Sequence, residues 1–248
     1  MTSDSTTRGI LLDIEGTLTP ISFVHEVLFP YARSTVKSYL AAHFNSPETA
    51  ADLDRLRKEY DVDVQQEMNP PVLVNGPADT EIDSVVSYVH WLIDRDRKSP
   101  GLKSLQGKIW KQGYLDGTLQ APLFPDILPA FKRWRRAGLK VAIFSSGSVL
   151  AQKLLFSHTQ SGDVTQFIDA YFDTSSGTKT AMESYRRIAS DLGLAAEELL
   201  FISDVVAELD AAKVAGLQTV LCIRPGNQTQ PLAHGHKIIR SFDEIAFA

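Results

Sequence analysis

Apolar residues recur along the chain with two different periods. Near the N-terminus, Gly9-Ile10-Leu11-Leu12 is a continuous apolar run closed by Asp13, as in a parallel strand buried on both faces. From Pro125 onward, short apolar runs alternate with segments of helical period. A helix over 126–136 stops at Gly138, and Leu139-Lys140-Val141-Ala142-Ile143-Phe144 follows as a strand. A helix over 149–158 leads to the strand-like Ile168-Asp169-Ala170-Tyr171-Phe172, and a helix over 180–192 stops at Gly193. Leu199-Leu200-Phe201-Ile202 is the next strand, 206–215 a helix ending at Gly216, and 218–223 a final clear strand. This alternation predicts right-handed βαβ units and a doubly wound parallel sheet, an α/β fold.

Between 22 and 121 the alternation is absent. The segment 23–44 reads as helix with a break or kink at Pro30, 47–68 as a highly charged helix, and 102–115 as another. Over 79–98, Ile82, Val85, Val86, Val89, Leu92 and Ile93 share one helical face. The expected organisation is a core domain of 1–21 and 122–248 interrupted, just after its first strand, by a helical domain of 22–121. No internal repeat or low-complexity segment is visible.

Composition narrows the class. With 248 residues, 44% hydrophobic and 22% charged, the chain is ordinary for a globular protein. Its 25 Lys+Arg against 30 Asp+Glu give a net charge of -5, which disfavours a nucleic-acid partner. No apolar run reaches the roughly 18 residues that span a bilayer, and Met1 to Arg8 lacks the apolar core of a secretory signal. The single cysteine, Cys222, sits in an apolar run and reads as a buried strand residue rather than a reactive thiol. The expectation is a soluble cytoplasmic protein with neither membrane nor nucleic acid as partner.

Four polar signals fall where strands end or helices begin, the edge at which doubly wound sheets bind ligands. Asp13-Ile14-Glu15-Gly16-Thr17 places two carboxylates one residue apart after a buried strand, either aimed at a cation or solvated in a turn. Ser145-Ser146-Gly147-Ser148 joins strand to helix, as an anion site or as ordinary capping by Ser145 or Ser148. Lys179 stands at a helix start, against the helix dipole, where an anionic partner would explain it. Asp204 closes another strand, as a hard-cation ligand or a helix N-cap, with Glu208 and Asp210 following.

In this order, the four resemble the motifs of the haloacid dehalogenase-like hydrolase superfamily, with the helical insertion in the position of that superfamily's cap. The resemblance implies that Asp13 is the nucleophile forming an aspartyl phosphate, that Ser145 binds the phosphoryl group, that Lys179 neutralises it, and that Asp13 and Asp204 hold Mg²⁺. One position departs: where most phosphatases of the superfamily have Asp two residues after the nucleophile, this chain has Glu15. Asp-Ile-Glu-Gly-Thr, the doubled Ser145-Ser146, and His90-Trp91-Leu92-Ile93-Asp94-Arg95-Asp96-Arg97-Lys98 are similar to the enolase-phosphatase family of methionine salvage. Leu105-Gln106-Gly107-Lys108-Ile109-Trp110 and Ile223-Arg224-Pro225-Gly226-Asn227 extend the likeness over nearly the full chain.

That likeness implies a monomeric, Mg²⁺-dependent enzyme that enolises 2,3-diketo-5-methylthiopentyl-1-phosphate and hydrolyses the enol phosphate to an acireductone. It also implies that Glu15 joins the metal site through its main chain, leaving its carboxylate for proton transfer, and that Ser145, Ser146 and Lys179 contact substrate. The competing readings are a capped phosphatase for another small phosphorylated metabolite and a non-catalytic phospho-accepting regulator.

Other signals have plainer explanations. His234-Gly235-His236 reads as a surface loop rather than a metal pair. Lys132, Arg133, Arg135 and Arg136 read as a solvated helix face, and Trp91 and Trp110 as core of the helical domain. Arg95, Arg97 and Lys98 read as a solvated helix end rather than substrate contacts.

Overall fold

The computed structural model describes residues 2–3, 7–95, 97–231 and 235–247. In chain order the elements are β1 (Thr2–Ser3), β2 (Gly9–Leu12), a π-helical turn (Phe23–Leu28), α1 (Phe29–His43), α2 (Pro47–Gln65), α3 (Ala78–Asp94) and α4 (Pro100–Leu115). Then come α5 (Ile127–Arg136), β3 (Lys140–Phe144), α6 (Val149–Ser157), β4 (Ala170–Phe172) and α7 (Met182–Asp191). The chain finishes with β5 (Leu199–Ser203), α8 (Val206–Val214), β6 (Gln218–Cys222), β7 (Lys237–Ile239) and β8 (Ala246–Phe247). It divides into two compact units, Met1–Val24 with Gln120–Ala248, and His25–Leu119.

The first unit holds a six-stranded, all-parallel sheet ordered β4-β3-β2-β5-β6-β7; β1 and β8 pair separately. Its centre is β2, every residue of which is buried, as the continuous apolar run requires of a strand covered on both faces. Leu12 is in register with both Ile143 and Ile202, so the residues after β2, β3 and β5 leave the sheet at one edge. The strand order turns about β2, and this carboxyl edge is the switch point at which such sheets bind ligands. Beneath it, Leu11, Phe144, Tyr185, Phe201, Leu209 and Leu221 form part of one apolar core, each large side chain contributing about 1.5–3 kcal/mol by burial.

Several expectations change. The strand β7 was not visible from the pattern, because three residues are too short to show a period. Helix α7 begins at Met182 rather than 180. The Ser184 and Tyr185 hydroxyls donate to the carbonyls of Thr178 and Lys179, so Lys179 stands in the turn before the helix, not in its first turn. The helical run over 21–43 is continuous through Pro30, and beside that proline it changes from π-helical (Phe23–Leu28) to α-helical (Phe29–His43), so the irregularity expected there is a change of helix type rather than a break.

The second unit is four helices around Val36, Leu40, Leu56, Tyr88 and Leu105. Trp91 is buried in this core, and Trp110 packs against it while its Nε1–H donates to the Leu28 carbonyl at 2.9 Å. Two buried carboxylates are matched within the unit: Asp52 by Lys108 at 2.5 Å, and Asp63 by the Tyr88 hydroxyl at 2.7 Å and by Arg97. Arg97 is therefore a folding residue here rather than a solvated one. Arg95 lies over the Trp91 ring, 4.5 Å from its centroid. Asp96 is outside the described residues, and among those described no helix is long and apolar enough to cross a membrane.

Candidate active site

Asp13 directly follows β2, and its N–H donates to the Ile202 carbonyl at 3.0 Å, which pins the loop to β5. Its carboxylate is almost wholly buried and is paired with the Lys179 ammonium. Lys179 comes from 166 positions downstream and also meets Glu208 at 2.7 Å. The Ser203 hydroxyl donates to that same Glu208 carboxylate at 3.0 Å, fixing it at the start of α8. Asp204 follows β5 and is buried; the residue at the N-cap of α8 is Val205, so Asp204 is not spent on capping. A Cβ on Gly16, which has φ +74, would strike the Asp204 carboxylate. The nucleophile turn and Asp204 are thus packed together, and glycine is required between them.

Ser145 emerges from the neighbouring strand β3. It is buried, with its Oγ accepting from the Gly147 N–H at 3.1 Å. Ser148, not Ser145, caps α6, accepting from the Ala151 N–H at 3.3 Å. Ser146 is exposed beside it, and Glu15 is half-buried in the turn after Asp13.

Charge governs this edge. Asp13, Asp204 and Glu208 place three carboxylates around one ammonium. Burial alone favours a neutral amine, but the charges of Asp13 and Glu208 and their hydrogen bonds hold Lys179 well above the usual lysine range. Burial, and then the Asp13 and Glu208 charges, push Asp204 well above the usual carboxylate range. Burial and Asp13 raise Glu208 as well, against the opposing pull of Lys179 and Ser203. With every carboxylate ionised, the cluster lacks two positive charges, the deficit that a divalent cation fills. Among the described residues no three carboxylate, imidazole or thiol groups form a ready metal cage. Asp13 and Asp204 are buried carboxylates, hard oxygen donors of the kind that suits Mg²⁺, which keeps several waters.

Comparison with known proteins decides the family. The haloacid dehalogenase-like hydrolase family matches residues 7–216. A protein of Synechococcus elongatus named enolase-phosphatase E1 is 51% identical over 236 residues, 95% of this chain and 96% of the relative. One of the same name from Danio rerio is 41% identical over 246 residues, covering 96% and 94%. The chain belongs to the enolase-phosphatase family. The crystal structure of the UTR4 protein of Saccharomyces cerevisiae is 35% identical to this enolase-phosphatase family member, with TM-score 0.76 over 96% of this chain and 99% of that one.

In this family member the fold brings Asp13, Ser145, Lys179 and Asp204 to one sheet edge. From the sequence Glu208 reads only as an acid near Asp204. Its signal is its place in the first turn of α8, but its partner Lys179 is visible only in three dimensions. Two discounted signals also change. His236 is buried and bonded to Thr219 Oγ1 and Asp210 Oδ1, both at 2.9 Å, so it ties β7 to α8 and β6 rather than lying in a surface loop; His234 is outside the described residues. On α5, Arg133 pairs with Asp243 at 2.9 Å and Arg135 with Asp169 at 2.7 Å, so that face is tethered as well as solvated. Cys222 is fully buried, and burial pushes its thiol up to about 12.

Proposed function

We propose that the protein is a Mg²⁺-dependent enolase-phosphatase of methionine salvage, converting 2,3-diketo-5-methylthiopentyl-1-phosphate into an acireductone. The observation that supports this reading is the sharing of one buried ammonium, Lys179, between the strand-terminal Asp13 and Glu208, with Asp204 beside them. In the first half-reaction a carboxylate, assigned to Glu15, removes the proton from the carbon bearing the phosphate, and the carbonyl electron pair takes a proton to give the enol. In the second, an Asp13 oxygen attacks phosphorus in line, the P–O bond breaks, and the conjugated enolate leaves. Water then hydrolyses the aspartyl phosphate and releases inorganic phosphate. Lys179 neutralises the phosphoryl oxygens throughout, while Ser145 by its hydroxyl and Ser146 by its hydroxyl and N–H hold the phosphoryl group. Asp13, Asp204 and the main chain at Glu15 would hold Mg²⁺, which would supply further charge neutralisation and polarise the carbonyl.

On the same reading the enzyme is a cytoplasmic monomer, and its four-helix unit is a cap that selects the substrate. Diketone absorbance and phosphate release followed together, with Mg²⁺ and with excess chelator, test the proposal. Loss of the diketone ahead of phosphate, both stopped by chelator, supports it. Phosphate release from sugar phosphates with no diketone loss replaces it with a phosphatase that lacks the isomerising step, and no release from any phosphomonoester replaces it with a regulator.

A further inference from the structure

The run Ile223-Arg224-Pro225-Gly226-Asn227 has no part in the steps above, yet it grips the loop that carries Asp13 and Glu15. Inside that loop the Ile14 carbonyl accepts from the N–H groups of Thr17, Leu18 and Thr19 at 3.2, 2.8 and 3.1 Å, and the Gly16 N–H donates to the Thr19 carbonyl at 2.8 Å. Two further carbonyls are held from outside. Asn227 Nδ2 donates to Gly16 at 3.0 Å, and Arg224 Nε donates to Thr17 at 3.3 Å.

Both donors are themselves anchored. Asn227 Nδ2 also donates to the Cys222 carbonyl at 3.3 Å. Arg224 is 6% exposed. Its guanidinium engages both Asp126 oxygens at 3.0 and 2.8 Å and the Arg240 carbonyl at 3.0 Å, and it lies 4.5 Å from the Phe124 ring centroid and 5.0 Å from that of Phe242. A fork locked on a carboxylate and stacked on two rings has little freedom to follow the loop, so the loop conforms to it. The contact is also close: a Cβ on Gly16 would stand 3.0 Å from Asn227 Oδ1 while striking Asp204.

We propose that Asn227 and Arg224 are positioning residues that hold the Asp13–Thr17 turn in register, so that the Asp13 and Glu15 carboxylates are both aligned for reaction. The proposal rests on the function above only for the identity of the two half-reactions; the clamp would serve any phosphoryl transfer to Asp13. Because misplacing a reacting group by 1 Å costs roughly 100-fold in rate, a loosened turn lowers turnover while leaving ground-state binding intact.

The test is Asn227→Leu, similar in size but without the donor, with rates normalised to the folded fraction from circular dichroism. Stopped-flow absorbance is expected to show both enolisation and dephosphorylation slowed by about the same factor, on the order of 100-fold, with KM unchanged. A normal rate per folded molecule, a rise in KM alone, or slowing of one phase only would overturn the proposal. If Asn227→Leu does not fold, Asn227→Ser repeats the comparison, and failure of both to fold assigns Asn227 to folding and also overturns it. If the wild type consumes no diketone, the proposed function fails; the clamp is then read from kcat and KM on the phosphomonoester it does hydrolyse, starting with p-nitrophenyl phosphate.

Discussion

Replacing Lys179 with Met removes the ammonium that the structure sets against Asp13 and Glu208 while keeping an unbranched chain in its place. At the 2.7 Å separation from Glu208 and an effective dielectric near 20, the gross attraction of one such pair is about 6 kcal/mol. Desolvation consumes part of this, and breaking a buried pair by deleting one partner costs about 3–5 kcal/mol net. For a unit of this size, at about 2–4 °C per kcal/mol, the melting temperature is expected to fall by about 6–20 °C. Catalysis should suffer separately, because losing one preorganised donor at the developing charge costs roughly 10²–10³ in kcat. Scanning calorimetry in chelator and phosphate release at saturating substrate measure the two effects. Added Mg²⁺ should raise the mutant's melting temperature more than the wild type's, since a cation then takes over balance that the ammonium supplied. A melting temperature unchanged in chelator, or phosphate release within tenfold of wild type, would refute the reasoning.

Asp13→Asn is expected to abolish phosphate release, because an amide cannot form the acyl phosphate; steady release in a phosphate assay would remove Asp13 from the nucleophile role. Glu15→Gln preserves shape but accepts no proton, so stopped-flow absorbance should show diketone loss slowed more than dephosphorylation of enol phosphate already formed. Equal slowing of both phases would make Glu15 a shared positioning residue. Burial raises the Asp126 carboxyl, but the Arg224 hydrogen bonds, the Phe242 N–H and the Arg224 charge outweigh that and hold it below the usual aspartate value of 3.8. A depressed folded-state value adds stability that is present above 3.8 and lost as pH falls through the folded value. The urea midpoint of the wild type should therefore drop across that acidic range, and Asp126→Asn should flatten the drop while lowering stability at neutral pH; an identical acid profile in the two proteins would refute the linkage.

The α/β class and most of the strands are legible in the chain's hydrophobic pattern. A run such as Gly9-Ile10-Leu11-Leu12 has a polar-free pattern that only burial on both faces explains, and its closure by Asp13 marks the sheet edge. The same local logic located Ser145 and Asp204 after β3 and β5, because strand ends are where polar residues first become tolerable. It failed for the three-residue β7, too short to carry a period, and for the start of α7, which is delayed by hydroxyls that reach back to Thr178 and Lys179. The partnerships emerge only once the chain is folded. Lys179 meets Asp13 across 166 positions, and Asn227 meets the Gly16 carbonyl across 211. No periodicity encodes such pairs, because they depend on strand order and register rather than on neighbours in the chain. Arg97 shows the converse: from the sequence a charged helix end facing water, in the fold a cation held by the buried Asp63. Local pattern reports which residues must leave water; what a buried charge then meets depends on the element that the topology places beside it.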